Sequence, residues 1–130
     1  MNIFCCECGT EVVARLTNGK EVYPHREDLF NLPFWKCDCG NFVGCHYKTD
    51  NPTKPLGCIP NPEIKKARGH IHALLDPIWE SGKITRTGLY KRLSDKLGYK
   101  YHTAEIKCIV EARRVYSEIR KIKIEILKEK

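Results

Sequence analysis

The chain has 130 residues, a formal net charge of +7 and eight cysteines, which suits one compact domain, or one small metal-dependent unit beside a small helical one. No stretch is apolar enough to cross a membrane, and the start MNIFCCEC lacks the basic opening and long apolar run of a secretory signal, so a cytoplasmic protein with no membrane partner is expected. In such a compartment, eight cysteines with tightly spaced pairs among them favour a metal over a disulfide framework.

In chain order, the first signal is Cys5-Cys6-Glu7-Cys8-Gly9, a C-x2-C pair followed by glycine. Thiolates bind zinc tetrahedrally, and this spacing lets two sulfurs reach one ion from a single tight turn. Residues 9–23 then read as a β-hairpin, with an apolar run through Val12, Val13 and Leu16, a turn at Thr17-Asn18-Gly19-Lys20, and a return through Val22 and Tyr23. Asn-Gly is the strongest short hairpin signal. Pro24 ends the return strand. A polar excursion follows and re-enters at Phe34 and Trp35, which are expected to pack on the hairpin.

The second metal corner is Cys37-Asp38-Cys39-Gly40, with one residue between its thiols where two or more are usual. Either Cys37 and Cys39 complete one site with Cys5 and Cys8, or Cys45 or His46 replaces one of them. The all-cysteine set, holding one structural Zn2+, is the leading reading. Cys45 and His46 are otherwise candidates to support the ligands by hydrogen bonding. Cys6 reads as a spare thiol, and Cys58 and Cys108 as buried small hydrophobes. A further short strand is expected around Phe42 and Val43. Residues 48–62 hold four of the seven prolines and read as a linker or an extended wrap.

From Glu63 the apolar period becomes helical through Ile64, Ala67, Ile71, Leu74, Leu75 and Ile78, with Asn61 as N-cap and Pro62 at the first position. Pro77 predicts a kink or a restart, and Ser81-Gly82 an end. Thr85 or Thr87 opens a second helix with Leu89, Tyr90, Leu93 and Leu97 inward, closed by Gly98. A third helix is expected from Thr103 almost to the end, with Cys108, Ala112, Val115, Ile119, Ile122 and Ile126 forming a seam of alternating four- and three-residue steps. That seam either packs within its own domain or forms a homodimer. The closing KIKIEI alternates, so a short strand there is the alternative.

Charge divides with structure: residues 1–62 carry six Lys/Arg against seven Asp/Glu, residues 63–130 seventeen against nine. Clustered cations reward a phosphate backbone through counterion release, although a soluble lysine-rich helical face looks the same. Lys65, Lys66, Arg68, Arg86, Lys91 and Arg92 are the candidate phosphate contacts. The ending of the second helix resembles the first helix of a helix-turn-helix, but the next element opens with Ala104 and Glu105, a poor set for reading bases.

For catalysis, His72 and Asp76 share a helix face and His46 lies near the cysteines, which permits a metal-assisted nuclease. His70 and His72 point apart. No H-E-x-x-H, phosphate loop or serine-nucleophile motif occurs, and a capping or core hydrogen bond is the ordinary role of His72.

Together the N-terminal C-x2-C, EVYPHREDL at 21–29, FWKC followed by VGCH, PLG at 55–57, H-x3-DPIW at 72–79 and R-x3-Y-x2-L-x3-LG at 86–98 resemble a family of small zinc-finger-containing proteins of phages, prophages and bacteria. The family's second knuckle has two intervening residues, so Cys37-Asp38-Cys39 departs from it. The resemblance implies zinc and a phage or prophage setting in a bacterial host cell, draws notice to His46, His72, Asp76 and Trp79, and supplies no reaction.

The expectation is an α+β protein: a zinc-ribbon-like β head over 1–47, a Pro-rich linker over 48–62 and a basic three-helix unit over 63–130. Its expected function is non-enzymatic binding of nucleic acid through the helices. The alternatives are a phage protein that binds and inhibits a host defence protein, and a metal-dependent nuclease.

Overall fold

The computed structural model describes residues 1–128. Two compact units meet between Pro62 and Glu63. In the first, β1 (Asn2–Cys5) pairs antiparallel with β2 (Thr10–Val13), Cys5 lying opposite Thr10. A second antiparallel sheet has the order β3 (Arg15–Asn18), β4 (Pro33–Lys36), β5 (Phe42–Gly44). Leu16 faces Trp35 and Trp35 faces Val43 across its ladders. Ile3, Cys5, Ala14, Cys37, Val43 and Ile59 form the core. Beside it Tyr23, Phe34 and Phe42 meet edge to face at 5.2–5.8 Å, a favoured aromatic geometry.

The Asn18-Gly19 hairpin does not form. The Asn18 side chain accepts from the backbone N–H of Lys20 and Glu21 and caps a single helical turn, α1 (Gly19–Val22). Asparagine serves caps as well as turns, and packing decides between them. Gly19 is buried with its α-carbon against the Leu29 backbone, where an added Cβ would sit 1.7 Å from the carbonyl oxygen. The partner of β3 is therefore β4, brought back after fourteen intervening residues. Phe34 and Trp35 belong to β4, the central strand of this sheet, rather than packing on a hairpin of residues 9–23.

Residues 48–62 run as an extended wrap of this unit. Amides of His46, Leu56, Ile59 and Cys6 bond, in turn, to carbonyls of Lys54, Gly44, Phe4 and Ile59. Trp35 Nε1 donates to the Thr53 carbonyl at 2.6 Å. Ile59 is fully buried, and so is Cys58 to within 3%.

The second unit contains α2 (Pro62–Glu80), α3 (Arg86–Leu97) and α4 (Ile109–Lys128). Pro62 opens α2, and the helix passes through Pro77 without restarting. Thr85 caps α3 by accepting from Gly88 N–H at 2.9 Å. Gly98 closes it in the left-handed conformation, φ 84°. Leu75, Leu89, Leu93, Val115, Ile119 and Ile122 are completely buried in one core.

α4 starts at Ile109, not Thr103. Residues Thr103–Glu105 form only a 3-10 turn, because Tyr101, Thr103 and Ile106 are drawn inward. The Tyr101 hydroxyl and Thr103 Oγ1 lie 2.7 Å apart, and the Arg68 guanidinium donates to the Ile106 carbonyl at 2.7 Å. Cys108 is consequently exposed rather than buried in the seam, while Ala112, Val115, Ile119, Ile122 and Ile126 line it as expected. KIKIEI is helical, since its Ile122 and Ile126 serve this core. Residues 129 and 130 of the expected 63–130 unit lie outside the described residues.

Candidate metal centre and basic faces

Two turns build the metal centre. Cys5 ends β1, and Gly9 N–H donates back to the Cys5 carbonyl at 2.8 Å with Gly9 at φ 70°. Cys37 follows β4, and Gly40 N–H donates to the Cys37 carbonyl at 2.9 Å with Gly40 at φ 100°. Each thiol pair thus sits in a turn that a left-handed glycine closes. The shorter second turn does the same work with one residue fewer.

The four sulfurs of Cys5, Cys8, Cys37 and Cys39 lie within 4.8 Å of one another. Cys5–Cys39 and Cys8–Cys37 are each 3.7 Å apart. A tetrahedron with Zn–S bonds of about 2.3 Å has edges of about 3.8 Å, so this donor set fits one structural zinc ion. Among the described residues this is the one grouping of three or more metal-ligating side chains. Cys45 and His46 stand outside it.

The thiols' surroundings show what a cation relieves. Burial pushes the Cys5 thiol up, opposed by backbone N–H groups of Cys8 and Glu7. Hydrogen bonding to Cys37, then to Cys5, pushes Cys8 up to about 12. At Cys39 burial works in the same direction but is outweighed, the Asn41 backbone N–H contributing most, and the thiol is held below its usual range. The Asn41 side-chain amide also donates to Cys39 Sγ at 3.4 Å. Four thiolates this close repel one another, and a bound divalent ion offsets that.

Cys6 Sγ lies 4.0 Å from Cys58 Sγ. Cys45 is a buried free thiol whose backbone pairs antiparallel with Pro55; burial pushes the thiol up. His46 is exposed, its backbone tied to Lys54 and Thr49.

The candidate phosphate contacts fall into different settings. Lys65 and Lys66 are exposed on α2. Arg68 is engaged by Ile106, and Arg92 pairs with Glu125 at 2.8 Å, alongside Lys96. Arg86 and Lys91 border a shallow concavity of about 720 Å³ that also takes in Tyr90, Tyr99, Lys100 and His102. The Arg86 guanidinium lies over the Tyr90 ring at 4.6 Å, and Lys91 pairs with Asp95 at 3.3 Å on the exposed side. Tyr99, Lys100 and His102 were not among the sequence candidates; the interleaving of aromatic and basic residues in GYKYH was the available signal.

His72 Nδ1 is 3.7 Å from Asp76 Oδ1, which accepts from Trp79 Nε1 at 3.1 Å. All three belong to α2; the His72 and Asp76 side chains are 47% and 38% exposed, while Trp79 packs against the helical core.

A family model described as a zinc-finger-containing domain matches residues 1–124. Among curated proteins and among solved structures nothing matches.

Proposed function

Because the chain belongs to this zinc-finger-containing family, we propose that it is a zinc-stabilised binding protein whose helical unit contacts single-stranded nucleic acid through α3 and the turn after it. The observation that carries this reading is the Arg86–Tyr90 stack in one concavity with Lys91, Tyr99, Lys100 and His102. Aromatic rings offer platforms to any base, and cations beside them track the backbone. Tyr99 is 41% exposed, with its hydroxyl donating to Glu111 at 3.3 Å, and stacking of a base on its ring is part of the proposal. The zinc serves the head's fold. A phage or prophage setting in the bacterial cytoplasm accords with the resemblance of the motifs.

Fluorescence anisotropy with labelled single-stranded DNA and RNA, against a duplex, tests it. With Arg86, Lys91 and Lys100 on phosphates, the log–log salt slope is about −2, so affinity falls about twentyfold between 50 and 200 mM salt. Arg86→Glu with Lys100→Glu weakens binding and flattens the slope. Absence of binding to either strand type at low salt sinks the proposal.

A further inference from the structure

A second surface lies on the helical unit, between α2 and α4. It is an open groove of about 690 Å³. Its floor is apolar: Ala67 and Ile71 from α2, with Ala112, Tyr116 and Ile124 from α4. Tyr116 and Ile124 stay 39% and 52% exposed, and at the two alanine positions there is little side chain to fill the space between the helices. Lys66, Arg113, Arg120 and Lys121 stand around it, with Glu63 as the carboxylate on the lining. Lys121 pairs with Glu118 at 3.2 Å. Lys66, Arg113 and Arg120 take part in no ion pair among the described residues.

We propose that this groove is the docking site for an acidic amphipathic helix of a protein partner, a surface separate from the α3 face. A trough between two helices accepts the apolar stripe of a third. Ile109 to Ile124 spans about 22 Å of α4, or roughly four turns of an occupant. The three cations without partners set its sign: Asp and Glu flanking the apolar stripe meet them at the rim. A second copy of this chain is disfavoured by the same charges, since a two-fold contact would set each basic rim against its equivalent.

The probe is a designed 16-residue peptide with leucines at helical a and d positions and glutamates beside them; its control is the same composition in scrambled order. Anisotropy with the full zinc-loaded chain reads both. The patterned peptide is expected to bind one to one, and the scrambled one roughly tenfold more weakly. Arg113→Glu with Arg120→Glu weakens the patterned peptide roughly tenfold or more. Ser117→Trp, an exposed substitution that fills the trough, does so without altering charge, and Arg86→Glu leaves peptide binding unchanged. Circular dichroism checks that each variant is folded. Equal binding of the scrambled peptide, insensitivity to Ser117→Trp, no binding of the patterned peptide at about 100 µM (an interaction of about −5.5 kcal/mol), a wild-type dimer that Ser117→Trp dissociates, or displacement of the peptide by single-stranded DNA would each overturn the proposal.

Discussion

Replacing Cys39 with serine tests the metal centre most sharply, because its thiol belongs to the unusually short knuckle. A structural zinc contributes about 10–16 kcal/mol in a small domain at neutral pH. One of four ligands carries roughly a quarter, so Cys39→Ser should weaken zinc by about 10²–10³-fold. The large buried apolar side chains of the first unit, apart from its cysteines and Ala14, are Ile3, Phe34, Val43 and Ile59. Burying these contributes about 6–12 kcal/mol, comparable to or less than the metal, and net domain stability is only about 5–15 kcal/mol. Full chelation should therefore unfold this unit. The second unit has its own core of thirteen buried residues and should stay folded.

The chain's two tryptophans report separately. Trp35, bonded to Thr53, belongs to the first unit and Trp79 to α2. In a Trp79→Phe background, native mass spectrometry counts zinc while Trp35 emission reports the head, and helical circular dichroism reports the rest. One zinc in wild type, weakened retention in Cys39→Ser and a red-shifted Trp35 on chelation are expected, with Cys45→Ser retaining the metal. Wild-type zinc affinity in Cys39→Ser, or an unchanged Trp35 spectrum after complete metal removal, would refute the reasoning.

Gly19→Ala should destabilise the first unit by more than about 3 kcal/mol, since the new Cβ meets the Leu29 backbone at 1.7 Å and backbone rather than a flexible tip must move; thermal melts followed by Trp35 emission check it. Leu93→Ala, at a fully buried position, should cost the helical unit about 2–5 kcal/mol in urea unfolding. Thr85→Ala removes the α3 cap and should cost about 1 kcal/mol by the same measurement. Burial raises the Tyr101 phenol above its usual range. The neutral form is thus favoured on folding: its stabilisation is fully present below pH about 10 and is lost as pH rises toward the folded value. Alkaline melts of Tyr101→Phe should accordingly decline less steeply than wild type.

Cysteine spacing and its glycines made the metal centre readable, because a C-x-x-C-G or C-x-C-G turn is a local object whose ligands are fixed by a few backbone angles. The buried faces of α2, α3 and α4 were readable for a similar reason, as 3.6-residue periodicity and caps such as Thr85 and Gly98 act within one or two turns. Asn18 is ambiguous in sequence because the same side chain favours a hairpin turn and a helix cap. The choice lay with Gly19, pressed on Leu29, and with β4. Cys108 falls outside the seam that its spacing suggests because Tyr101, Thr103 and Ile106 take the chain into the core before α4 starts, a preference set by neighbours distant in sequence.

The sequence by itself therefore determined the zinc knuckles, the three amphipathic helices and the concentration of positive charge in residues 63–130, all properties of local pattern and composition. Only the tertiary structure decided which sulfurs converge, that residues 48–62 wrap the first unit, and how the cations divide. Arg68 and Arg92 are spent on internal bonds, Arg86 and Lys91 border an aromatic concavity, and Lys66 joins Arg113 and Arg120 around a groove. Burial and partnering depend on what packs against each side chain, and that is fixed by contacts across the fold rather than by position along the chain.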